Sequence, residues 1–182
     1  MKYLILATLF TWIFIHGCSK EKIKPTVNTA IKLEEIPDQE SWNSTVFFTD
    51  SGKTKAILYA GHLRVFINKN ETLLDSSLKI DFFNNIGKHT STLTAKRGRV
   101  DENTDNLFAY DSVVAINDSG IVVSSDEMMW RNKDKKIVSD KFVTIVSPKE
   151  KIEGYGFESD QSLKNYVIYN ITYITEPDSL SK

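Results

Sequence analysis

Apolar and polar residues alternate in short runs along most of this chain. Over residues 56–67 the alternation puts Ile57, Tyr59, Leu63, Val65 and Ile67 on one face. Leu78, Ile80 and Phe82 alternate with Lys79 and Asp81, and residues 113–116, 121–123, 142–146 and 166–174 are similar runs rich in β-branched and aromatic side chains. A period of two predicts strands, because successive side chains of a strand point to opposite faces. Polar turn signals separate the runs: Asp50-Ser51-Gly52, Asn68-Lys69-Asn70, Asn84-Asn85-Ile86-Gly87, residues 101–106, Asn117-Asp118-Ser119-Gly120 and Asn132-Lys133-Asp134. No long stretch carries a helical period. The body of the chain, from Trp42 to Thr175, therefore predicts an all-β domain, as a sandwich, jelly roll or barrel.

The runs also repeat. A shift of thirty residues superposes Leu93 on Val123, Ala95 on Ser125, Val100 on Trp130, Leu107 on Ile137, Val113 on Val143 and Ala115 on Ile145. A shift of thirty-five superposes Ala60 on Ala95, Val65 on Val100, Leu78 on Val113 and Ile80 on Ala115. About thirty residues hold two strands and two turns, so each unit predicts one hairpin-like layer stacked on the next.

The first eighteen residues break this pattern. After Lys2, residues 3–15 run without a charge. As a helix they would reach only about 20 Å, against the roughly 30 Å of a bilayer core. They fit the apolar region of a secretory signal peptide (residues 1–17). Ile15-His16-Gly17-Cys18 resembles a bacterial lipobox, in which the signal is cut before a cysteine that carries acyl chains; His16 departs from it, a small residue being usual there. The resemblance implies lipidation of Cys18. Residues 18–40 then read as the lipidated cysteine and a flexible tether, rich in Lys and Glu with Pro25 and Pro37. Residues 176–182 form a polar tail.

Composition narrows the picture further. The formal net charge of −1 gives no field that would draw nucleic acid, and a single cysteine excludes an internal disulfide. No enzyme signature emerges and no cofactor or metal is implied. His62 and His89 lack metal-ligand spacing, and there is no nucleophile elbow. Gly154-Tyr155-Gly156 precedes no Lys-Ser/Thr and reads as a bulge or tight bend. Asp101-Glu102 and Asp126-Glu127 are adjacent pairs that point to opposite faces of a strand. The basic turn 133–136 reads as solvated, with contact to a lipid phosphate as the alternative.

Four segments carry a family resemblance: SWNSTVFFTDSGKTKAILYAGHLRVF (41–66), LTAKRGRVDENTDNLFAYDSVVAINDSGI (93–121), MMWRNKDKKIVSDKFVTI (128–145) and IEGYGFESD (152–160). Their order and spacing over residues 41–175 resemble the LptC family of lipopolysaccharide-export proteins and related β-jelly-roll domains. The resemblance implies an antiparallel β-jelly roll, a stacked two-sheet slab of hairpin repeats, in the periplasm at the inner membrane. It implies lipopolysaccharide taken from an inner-membrane ABC transporter and passed to a periplasmic bridge protein by edge-to-edge strand pairing. Family members keep an uncleaved membrane-spanning helix; a lipid anchor in its place leaves transporter docking to the β domain. Ser19 after the cysteine fits outer-membrane sorting, so either membrane stays open for the anchor.

One face of each strand lines the interior of such a slab. The expected lining is Ile57, Leu63, Val65, Leu78, Ile80, Leu93, Val113, Val123, Val143 and Ile145: an acyl-chain groove if the walls splay, and ordinary core if they close. The competing reading is a structural or adhesive surface lipoprotein with a packed β-repeat domain.

Overall fold

The computed structural model describes residues 36–175. The signal segment, Cys18, most of the tether and the tail at 176–182 lie outside the described residues. Ten strands form one antiparallel sheet: β1 (Gln39–Asp50), β2 (Lys53–Phe66), β3 (Glu71–Phe83), β4 (His89–Ala95), β5 (Arg97–Asp101), β6 (Asn106–Asn117), β7 (Val122–Arg131), β8 (Lys136–Val146), β9 (Lys151–Asp160) and β10 (Tyr166–Thr175). The sheet order is β1-β2-β3-β4-β6-β7-β8-β9-β10, with β5 pairing β3 and β6. β4 and β5 are the halves of one strand interrupted at Lys96, whose N–H donates to the Asp111 carbonyl at 3.3 Å. The turn signals read from the sequence fall between consecutive strands. β1 begins two residues before the expected start at 41, because Gln39 pairs with Val65 and the Asp38 N–H donates to the Val65 carbonyl at 2.8 Å.

The long strands bend near their middles, and the bends stand side by side across the sheet. Asn43 has φ 52°; Ser76 and Ser77 have φ 56° and 72°; Asp111 and Ser112 have φ 66° and 57°. Between them the pairing register shifts at Ala60/His62, Ser125/Met129 and Ser139/Phe142. Bulges of this kind add a residue to one strand, kink it and increase its twist. Gly61 is required at this corner, since a Cβ there would lie 2.1 Å from the Ser76 carbonyl oxygen. The corner folds the sheet onto itself as two facing walls, which is the jelly roll.

One wall turns Ala56, Leu58, Leu78, Ile80, Leu93 and Val143 inward; the other turns Leu74, Leu107, Met128, Trp130, Ile137 and Phe157 inward. All belong to a single buried cluster. The thirty-residue repeat is visible in it. Leu93 and Val123, Val100 and Trp130, Leu107 and Ile137, and Val113 and Val143 are all buried, each pair on strands one hairpin apart.

The bulge between Ala60 and His62 corrects one assignment. Straight alternation groups Ile57 and Tyr59 with Leu63 and Val65. In the sheet, Ala56, Leu58 and Ala60 point inward before the bulge and Leu63 and Val65 after it. Ile57 is only partly buried and Tyr59 is exposed, on the opposite face. One extra residue in a strand exchanges its two faces.

Candidate functional site

The two walls part beside β1. Val46 and Phe48 of β1, Leu58, Leu63 and Val65 of β2, and Val100 of β5 line a cleft of about 440 Å³. Its size falls within the range of about 300–1,000 Å³ typical of small-ligand sites. Phe48 closes one side edge-on against Trp130 of the opposite wall, with ring centroids 5.3 Å apart and an interplanar angle of 80°. Trp130 leans in turn on Phe82 at 5.7 Å, so both walls meet at this indole.

The rim of the cleft is polar and carries two acids. Thr72, Glu102, Asp105 and Asn132 stand there. The Thr72 hydroxyl donates to Glu102 Oε1 at 2.5 Å. Lys135 lies over the Trp130 ring at 5.6 Å and donates to Asn132 Oδ1 at 2.5 Å.

Of the ten residues expected to line an interior groove, the structure brings Leu63 and Val65 to this cleft. Leu78, Ile80, Leu93, Val113, Val123, Val143 and Ile145 are buried in the core cluster. Ile57 sits on the outer face, in a separate concavity with Phe83 and Ile86. Val46, Phe48 and Val100 were missed as lining residues. The Val46-x-Phe48 alternation was a readable signal for two of them; that they face Val100 across the slab follows only from the fold.

The other chemical candidates stay apart. His62 Nε2 lies 2.7 Å from Glu40 Oε1 and stacks on Trp42, while His89 Nδ1 lies 2.8 Å from Asp118 Oδ1. Among the described residues no group of three or more His, Cys, Asp or Glu side chains is placed to hold a metal ion. Asp101 accepts from the Asn103 N–H of its own turn at 3.0 Å and Glu102 from Thr72 of β3, so both carboxylates are engaged separately. At the basic turn, hydrogen bonds donated to Asp134 and then to Glu158 hold the Arg131 guanidinium above its ordinary pKa, and Glu158 raises Lys136 likewise. These cations are satisfied within the fold.

Among the described residues the sheet ends at β1 on one side and β10 on the other. β10 reads YVIYNITYIT, without a charge or a proline. Val167, Tyr169, Ile171, Tyr173 and Ile174 are all at least half exposed. Natural edge strands are ordinarily blunted by charges, prolines or shortness. β1 carries Glu40 and Asp50 near its ends and a left-handed kink at Asn43. β10 is therefore the edge better suited to accept another strand. Gly154 of β9 makes its close approach possible: a Cβ there would lie 2.4 Å from the Asn170 carbonyl oxygen. Among the described residues no helix is long and apolar enough to cross a membrane.

None of the curated proteins compared matches this chain. A family model described as lipopolysaccharide-assembly, LptC-related, matches residues 3–174, nearly the whole length, so that the apolar N-terminal segment is matched along with the β domain. With that match on a jelly roll that has an apolar cleft and an unprotected edge, the chain belongs to the LptC-related family of lipopolysaccharide-assembly proteins.

Proposed function

We propose that this protein is a periplasmic, lipid-anchored component of the lipopolysaccharide export machinery. It accepts lipopolysaccharide from an inner-membrane ABC transporter and passes it to a periplasmic bridge protein. The observation that carries the reading is the cleft between the walls, whose apolar floor offers acyl chains a place out of water. Its volume suits a small ligand. A lipid with several acyl chains therefore enters by parting the walls where Phe48 meets Trp130. Transfer needs no cofactor and no catalytic group in this chain; the work is done by the transporter's ATPase. Strand addition at β10 supplies the connection to the bridge protein, with main-chain hydrogen bonds giving affinity. The anchor is the acylated Cys18, since two or more acyl chains hold a protein stably at a membrane; mass spectrometry of the mature N-terminus is expected to show acyl chains on Cys18, and an unmodified or absent Cys18 removes the anchor from the reading.

The functional test is photocrosslinking in cells. A photoreactive residue at Leu63 is expected to crosslink to lipopolysaccharide, whereas one at exposed Lys149 is not. Lack of a crosslink from Leu63, Val65 and Phe48 alike would falsify the transfer reading. The second reading, a structural or adhesive surface lipoprotein, is favoured by the seven expected groove residues that lie in the core cluster. It requires that none of these positions contact lipid.

A further inference from the structure

A further concavity lies where three turns meet, and its chemistry is unlike that of the cleft. The turns β3–β4, β6–β7 and β9–β10 enclose about 280 Å³. We propose that it binds a phosphoryl group.

The pocket is held together by side chains reaching across the walls. Leu163, fully buried and at φ 56°, plugs the β9–β10 turn into the core. Beside it, buried Ser91 donates to the Gln161 carbonyl, and buried Asn117 donates through Nδ2 to the Ser162 carbonyl at 2.8 Å. The other two turns are stiffened by their own asparagines. Asn84 Oδ1 accepts from the N–H groups of Ile86 and Lys88, each at 3.0 Å. Asn117 Oδ1 accepts from those of Ser119 and Ile121, each at 2.9 Å. Residues seventy positions apart, as Ser91 and Gln161 are, are thus fixed before any ligand arrives, and preorganisation lowers the ordering cost of binding.

Two lysines face this rigid frame, Lys88 from one turn and Lys164 from another. Both are exposed, and neither ammonium has an ion-pair partner among the described residues. The acids nearby are already engaged. Asp118 is bonded to His89 Nδ1, and Asp160 accepts from Ser162 and Asn165, each at 2.6 Å. The basic turn at Arg131 and Lys136 is the opposite case, its cations being paired internally. The hydroxyl of Ser119 and the ring of His89 stand between the two lysines in chain order and line the same pocket. Two unpaired ammonium groups lining one pocket with the Ser119 hydroxyl match a phosphoryl group, which offers several strong acceptor oxygens and more than one negative charge. A lipid headgroup phosphate and inorganic phosphate share this chemistry. The headgroup identity rests on the lipopolysaccharide reading; binding of the phosphoryl group does not.

The test uses the mature full-length protein in non-ionic detergent, as wild type and as the Lys88→Ala/Lys164→Ala double variant. Binding is measured to inorganic phosphate, to intact lipopolysaccharide and to the same lipopolysaccharide stripped of its phosphates. Intact lipopolysaccharide is expected to bind the double variant about tenfold more weakly, as the loss of two charge-assisted contacts predicts, with the dephosphorylated form indifferent to the substitutions. That outcome assigns the pocket to the headgroup. Lysine-dependent binding of inorganic phosphate alone assigns it to the free ion. Equal binding of every ligand by both proteins overturns the proposal. Failure of wild type to bind either lipopolysaccharide counts against the export reading instead, and the inorganic phosphate arm then decides this one. Should the double variant melt below the wild type, Lys88→Gln/Lys164→Gln removes the same charges with less change in packing.

Discussion

Asp160 shows how one side chain ties local chemistry to the ends of the slab. Burial pushes its carboxyl upward, but hydrogen bonds from Ser162 and Asn165 outweigh this and hold it below its ordinary value. The folded state therefore favours the ionised form. The stability this contributes is present above the ordinary carboxylate pKa of about 3.9 and is lost as pH falls through the lowered folded value. The melting temperature is expected to hold between pH 7 and about 5 and to drop below about 4. Asp160→Asn should cost roughly 1 kcal/mol at neutral pH, the worth of a typical net hydrogen bond, and should flatten the acid part of that curve. An unchanged pH profile in the variant would show that other carboxylates set it. None of this is legible in the sequence: residues 152–160 carry a family resemblance, while the partners of Asp160 are set by the turn that follows.

At the scale of elements, the strands were half legible. The alternating runs at 78–82, 113–116 and 142–146 are the parts of β3, β6 and β8 that belong to one wall. Their continuations into the other wall lie beyond Ser76-Ser77, Asp111-Ser112 and the Ser139/Phe142 bulge. A bulge resets the alternation, so the pattern stops at the corner although the strand does not. Straight alternation read through the same reset groups Ile57 with Leu63, which the bulge sets on opposite faces. Glycine at 154 tests how β10 is held. Gly154→Ala sets a Cβ 3.0 Å from Ile171 Cα as well as against the Asn170 carbonyl. Backbone must move, at about 1–3 kcal/mol. Hydrogen exchange is expected to quicken along β10 while the β6–β7 ladder keeps its protection. Uniform loss across the sheet would mean that the whole domain, and not its edge, depends on this glycine.

For the whole molecule, the consequence of a rolled sheet is that it has two ends and no closure. Val167 pairs opposite Glu158 and Tyr169 packs over Gly156, both on the outer face of β10, while Ile168 reaches the core from the same strand. Val167→Lys together with Tyr169→Lys therefore places charge on the edge and leaves the core contact intact. Copurification of the bridge protein is expected to fall by about tenfold, equivalent to roughly 1.4 kcal/mol of pairing energy, with the melting temperature little changed. Undiminished copurification would move the pairing to β1 or to another surface.

The sequence by itself determined the strands of each hairpin, their turns and the thirty-residue repeat. These depend on side-chain alternation and on turn residues that act within a few positions. It also carried the family resemblance. Only the tertiary structure decided which interior residues line a cleft and which fill a core. That choice depends on how far two walls stand apart, and the distance is set by a corner of bulges and left-handed residues acting on partners far away in the chain. Leu63 and Leu93 are alike as letters in an alternating run; one lines the cleft with Val46, and the other lies among packed side chains.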